Sequence, residues 1–223
     1  MTSRAPRLIA VIVASLLLAG CAAPHVPAVM DAQRPTATTP GDAMFYDPAN
    51  PPAPESTISP GTDVWSDFHP PAGYSVILLT YAGDAEHTKT LVDAVDSWAR
   101  SEDVTVTPVV VKSHDKLVEA TLDAIDREPD LIITVGNILV DPLAAVSAGY
   151  LAQQFLVIGA EIAEPTSNVT AVDWSGAGYR GEGLGTPTTY DPKTFTKERA
   201  SRAIQAGVAA VLNRANGFVI WLD

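Results

Sequence analysis

From residue 74 onward, short apolar runs alternate with longer stretches in which apolar residues recur every three or four positions. "YSVILLTY" (74–81), bounded by Gly73 and Gly83, predicts a buried strand, being short, apolar and β-branched. The following "DAEHTKTLVDAVDSWARSED" sets Leu91, Val95 and Trp98 on one stripe of a helix. "VTVTPVVV" predicts a second strand, and Pro108 within it, lacking a backbone donor, predicts a sheet edge or a bulge. A second helix is expected over "HDKLVEATLDAIDRE", with Leu117, Val118, Thr121, Leu122 and Ile125 on its inner side and Ser113 as its cap.

"DLIITVG" is the third strand, and "DPLAAVSAGYLAQ" the third helix, with Asp141 as N-cap acceptor and Pro142 supplying a pre-set φ. "QFLVIGA" and "NVTAVDWS" predict two more strands. "TKERASRAIQAGVAAVLNRANG" places Ala200, Ile204, Val208, Val211 and Leu212 on one helical face, with Gly217 positioned to end it. "FVIWLD" is the sixth strand. Strands alternating with helices imply a mostly parallel sheet covered on both faces, a three-layer, doubly wound Rossmann-like α/β domain over residues 73–223.

Upstream the pattern is lost. Eleven of the 18 prolines lie between Pro24 and Pro71, among Ala and Thr with no apolar period. Residues 22–72 are expected to form a flexible tether, because such a composition buries too little apolar surface to offset its ordering entropy. Trp65 and Phe68, spaced i, i+3 in "DVWSDFHPP", are the exception and are placed to pack back on the domain.

Residues 1–21 form a different kind of segment. Arg4 and Arg7 precede a 12-residue apolar core, "LIAVIVASLLLA", shorter than the ~20 residues a membrane span needs. It ends in "LLLAGC", which resembles a bacterial lipobox and implies lipidation of Cys21, the single cysteine of the chain. The expected location is therefore the extracytoplasmic face of the cell membrane, held by the lipid. Beyond residue 21, 12 basic side chains face 26 acidic ones, about −14 in all. That balance excludes nucleic acid, whose phosphates are bound by clustered Lys and Arg, and a polybasic membrane-surface domain.

The strand ending in Val135-Gly136, the helix start at Asp141, the "FLVIGA" strand and the "NVTAVDW" strand running into a glycine-bearing turn, together with the lipobox, resemble the basic membrane protein family of bacterial substrate-binding lipoproteins. The similarity extends from Tyr74 to Gly183. It implies one lobe of a type 1 periplasmic-binding fold, a small polar ligand such as a nucleoside, and work beside an ABC permease. The loop "AGDAEHTKT" keeps Gly83 and Asp84 of the family's Asp-x-Ser-Phe-Asn-like signature but lacks the aromatic and the asparagine. The family's two lobes close on their ligand, and only one sheet's worth of strands is legible here. A homodimer is one way to supply the second wall.

If the sheet is wound in this way, the loops after its first, third, fourth and fifth strands converge at one edge. They bring together Gly83, Asp84, Gly136, Asn137, Glu161, Trp174, Ser175, Tyr179 and Arg180 as candidate ligand-binding residues. Glycines permit close approach, Asn137 both donates and accepts, and Trp174 or Tyr179 is suited to stacking on a planar ring. The competing reading is that Gly136 and Asn137 only turn the chain into the next helix.

Catalytic chemistry is weakly represented. "GAGYRG" (176–181) fits a dinucleotide glycine pattern, but "EGLGTPTTYDP" follows where a helix is required, so no cofactor is expected. A long loop over 175–193 takes its place. The four histidines are scattered without metal spacing, His87 being expected to face solvent. Asp84, Glu86, Glu161 and Asp173 crowd the carboxyl edge, where Asp84 and Glu86 also suit a helix start. The pattern points to a non-catalytic binding module, with an envelope scaffold that recognises a partner protein as the alternative.

Overall fold

Seven short apolar segments become the strands of one sheet in the computed structural model, which describes residues 45–47, 49–61, 64–65, 68–84, 86–178 and 190–222. The strands are β1 (Thr57–Ile58), β2 (Ser75–Tyr81), β3 (Thr105–Val111), β4 (Leu131–Val135), β5 (Phe155–Ile158), β6 (Val169–Trp174) and β7 (Val219–Leu222). They lie in the order β1-β7-β6-β5-β4-β2-β3, with every neighbouring pair parallel. Four helices pack on the faces: α1 (Glu86–Ser101), α2 (Leu117–Ile125), α3 (Val140–Ser147) and α4 (Lys197–Leu212). The doubly wound α/β architecture is the one the periodicity predicts, with one strand more.

Burial explains the composition of the strands. Every residue of β4, β5 and β6 is buried, as a central parallel strand covered on both faces requires. β3 is an edge strand and its Pro108 is exposed there, so the missing backbone donor costs no ladder hydrogen bond. Leu91, Val95 and Trp98 of α1 and Ala200, Ile204 and Val208 of α4 share one core with Val76, Leu78, Leu156 and Val172. Leu117 and Ile125 of α2, with Leu143 and Val146 of α3, fill the other face against Ile77, Ile132 and Phe155. Val118, expected on the inner side of α2, is exposed instead.

The connections do not all share one hand. β2–α1–β3 steps towards one edge of the sheet, whereas β6–α4–β7 steps towards the other, yet α1 and α4 lie on the same face. The α2 and α3 connections step the same way as β6–α4–β7 but on the opposite face. Three crossovers therefore share a hand and the fourth is its mirror image. Since such crossovers are right-handed in nearly all proteins, the β6–α4–β7 connection is the left-handed one.

Several expectations are corrected. Within the span assigned to the tether, Trp65 and Phe68 pack on the α1/α4 core as expected, but Phe45 is buried there too and Thr57–Ile58 pairs with Val219–Ile220. The described part of that span thus belongs to the domain. Long-range apolar contact and edge pairing outweigh a Pro-rich composition. Asp141 is not the N-cap of α3: the cap is Leu139, two residues earlier, and Asp141 lies in the first turn. Ser113 stands at the N-cap of a 3-10 turn, His114–Lys116, that leads into α2, but its hydroxyl donates to the Asp115 carboxylate and caps no backbone amide. Gly217 lies beyond the end of α4, capped at Asn213. At φ +79° it turns the chain into β7, its amide donating to Val169.

Candidate functional site

The order of the strands fixes where the winding reverses: between β2 and β4, whose helices leave in opposite directions. Open α/β sheets bind ligands outside the carboxyl ends of the strands at such a switch point. Gly136 ends β4 at φ +74°, a backbone region that glycine enters without strain. A methyl group there would lie 3.2 Å from Thr88 Oγ1 and 4.0 Å from Asp84 Oδ1. Asp84 and Gly136 are therefore brought together as predicted, with Thr88, in the first turn of α1, between them. Asn137 is exposed beside them.

The remaining candidates divide. Glu161, on the loop after β5, and Asp173, near the end of β6, are buried, at 3% and 0% exposure. Trp174 is not available to stack on a ligand. It is fully buried in the α1/α4 core, its ring centroid 5.1 Å from that of Phe195 and its indole N–H donating to Thr194 Oγ1 at 3.0 Å. Strand alternation is the reason: Asp173 and Trp174 point to opposite faces, and Trp174 points into the better-filled one. Ser175 is exposed. Tyr179, Arg180 and Cys21 lie outside the described residues, as does most of the glycine-rich loop.

His87, expected to face solvent, is half-buried. Its ring packs against Phe195 at 4.3 Å between centroids and hydrogen-bonds the Tyr190 hydroxyl at 2.7 Å, and burial lowers its pKa. Tyr190 is half-exposed, so these rings form a partly open aromatic rim beside the start of α1.

The two ends of the sheet treat buried polar groups differently. At the amino end they are paired. Asn168 donates to the carbonyls of Ser147, Tyr150 and Gln153 at 3.0 Å each and accepts from Thr166. Asp130 accepts from the Ser75 amide and hydroxyl, both at 2.8 Å. Asn216 donates to Gln154. At the carboxyl end Thr88 Oγ1, Thr134 Oγ1 and both carboxyl oxygens of Asp173 are buried without a hydrogen-bond partner. Burial pushes Asp173 up to about 8, the Glu161 charge adding to the rise and the Trp174 backbone amide opposing it. Burial pushes Glu161 up to about 7.

Thr88 and Thr134 were not among the residues predicted from sequence. Their signal was a polar residue where the pattern demands an apolar one: Thr88 stands three positions before Leu91 on the buried stripe of α1, and Thr134 interrupts "LIITV". Among the described residues no three or more side chains are grouped so as to hold a metal ion. A polar groove of about 420 Å³ between α1 and α4, lined by Asp93, Arg100, Lys197 and others, shares no residue with this edge.

No family model matches the chain, and no curated protein matches it. Among solved structures, it is similar to an ABC-transporter solute-binding protein from Aeropyrum pernix K1. The identity is 27%, over 46% of this chain and 29% of that one, with a TM-score of 0.41. A fragment described as a lipoprotein from Peptoclostridium difficile 630 matches at 18% identity, over 62% and 98% of the two chains, with a TM-score of 0.47. A 5-methylthioribose transporter solute-binding protein from Thermotoga lettingae TMO matches at 17%, over 46% and 33%, with a TM-score of 0.39. The match thus spans about a third or less of either transporter protein's own length.

Proposed function

We propose that this chain is a lipid-anchored, extracytoplasmic, non-catalytic module that binds a small polar ligand at the carboxyl edge of its sheet. The observation that carries the reading is the contrast between the two edges. Buried polar groups are nearly always paired, and an orphaned one costs about 1–3 kcal/mol. This chain pairs them at the amino edge and leaves the Thr88 and Thr134 hydroxyls and the Asp173 carboxyl without side-chain partners towards the carboxyl edge. Groups of that kind are satisfied when a ligand supplies the missing partners. The lipobox ending at Cys21 supports anchorage, and an ABC permease is the partner such a module would serve.

A thermal-shift screen of the full-length chain in detergent, against nucleosides, sugars and amino acids, tests the reading. A ligand at 100 times its Kd stabilises the native state by ~2.7 kcal/mol. A reproducible rise in Tm with one class supports it, and silence from folded protein across the panel sinks it.

A second reading has its own observation. The space beside Gly136 is filled by Thr88 and Asp84, and Trp174 is sealed in the core. Both favour an envelope scaffold that keeps the sheet and presents its edge to a partner protein. Crosslinking in intact cells that joins the chain to one partner, with the ligand screen silent, would favour this alternative.

A further inference from the structure

Asp173 and Glu161 are the part of this edge whose chemistry is most specific. β4, β5 and β6 align so that Val135, Ile158 and Val172 are level. Gly136, Gly159 and Asp173 therefore follow as the next row, and Glu161 leaves the sheet two residues after Gly159. Asp173 has no exposed surface, and neither of its oxygens meets a side-chain donor; the Trp174 backbone amide is the one group that favours its charged form. Among the described residues no Lys, Arg or His makes an ion pair with it or with Glu161. A buried carboxylate without a counter-charge is among the costliest arrangements a fold can hold. Glu161 is close enough for its charge to raise the Asp173 pKa further, which adds to that cost.

We propose that these two carboxyls are the recognition site for a positively charged nitrogen, a protonated amine or ammonium group, on the ligand. The inference rests on the binding reading above and gives it a ligand class. A protonated amine carries donors and a positive charge but no acceptor, so it satisfies the Asp173 oxygens and neutralises the pair at once. The net charge of −12 favours the approach of cations. A metal ion suits the pair less well, because hard cations gather six or more oxygens and no cluster of metal-ligating side chains surrounds these two among the described residues. With the site empty, the pair keeps protons near neutral pH. Binding releases them to solvent, and affinity for an amine rises with pH.

Calorimetric titration and thermal shift of the full-length chain in detergent test this, with putrescine and L-lysine as amine probes. Ribose and adenosine serve as uncharged probes, and calcium chloride as a metal probe. The expected result is stabilisation by an amine, tighter at pH ~9 than at ~6, and weakened about thirtyfold or more by either Asp173→Asn or Glu161→Gln. Asp173→Asn keeps the side-chain shape and removes the charge, and a cooperative urea transition of the variant shows that lost binding is not lost structure. If ribose or adenosine stabilises the chain and amines do not, the charge assignment is overturned and the binding reading stands. Stabilisation by calcium alone overturns it in favour of a metal site. Amine binding that both variants retain overturns the location. Silence from every probe removes this inference and the binding reading together.

Discussion

Asp173 sits on a strand that alternates between two cores, and its side chain points towards the face where no partner was provided. Its pKa near 8, and that of Glu161 near 7, bear directly on stability. Both lie above the ordinary values of 3.8 and 4.5, so the native state keeps protons that the unfolded chain releases. The stabilisation these protons give is complete below pH ~4 and is lost as pH rises towards ~8. The ligand-free protein is therefore expected to be more stable at pH 5 than at pH 8, by of order 6 kcal/mol. Asp173→Asn should flatten most of that slope. Urea denaturation across this range measures it; a midpoint that rises with pH would show that the pair is ionised and paired in the native state. Thr88 and Thr134 belong to the same scale: their hydroxyls are ordinary in sequence and become unusual only because nothing meets them in the fold.

At the scale of elements, two contacts hold the sheet to its coverings. Gly207 lets α4 approach closely, since a methyl group there would lie 2.5 Å from Leu156 Cδ1 and 2.9 Å from Val172 Cγ2. Gly207→Ala gains helix propensity but overpacks the core, with an expected net loss of about 1–3 kcal/mol in chemical denaturation. A stabilised variant would mean that α4 shifts outward at little cost. The segment carrying Phe45, β1 and Trp65 is the second contact. Trp65 is 5% exposed within the α1/α4 core, so Trp65→Ala should cost about 3–5 kcal/mol, and a chain begun at residue 73 should unfold at markedly lower urea. Equal stability of the shortened chain would return the segment to the tether. The left-handed β6–α4–β7 connection also belongs here. Its 22 intervening residues, 175–196, give the chain the length to reach α4 on the unusual side.

For the molecule as a whole, the testable feature is the lipid anchor proposed at Cys21. If Cys21 carries lipid, the chain partitions into the membrane fraction, and Cys21→Ser should move it to the soluble extracytoplasmic fraction with its fold unchanged. Cell fractionation with immunoblotting reads this, and a variant that stays with the membrane would show that something other than lipid holds it. Among the described residues no helix is long and apolar enough to cross a membrane.

Local pattern alone was enough for the strands from β2 to β7, for the buried stripes of α1 and α4, and for Pro108 at an edge. Period and burial are properties of neighbouring residues, and a parallel sheet covered on both faces leaves the same apolar signature wherever it occurs. The pairing of Asp84 with Gly136 was legible for a related reason: winding order carries consecutive strand ends to one edge. The tertiary structure decided the rest. β1 exists because β7 offers it an open ladder, and Phe45 and Trp65 are buried because a core assembled from α1, α4 and the sheet receives them. Trp174 went to the core instead of the mouth through the pleat of a single strand. Whether a buried oxygen at residue 88, 134 or 173 has a partner depends on which groups surround it in space, and no spacing along the chain encodes that.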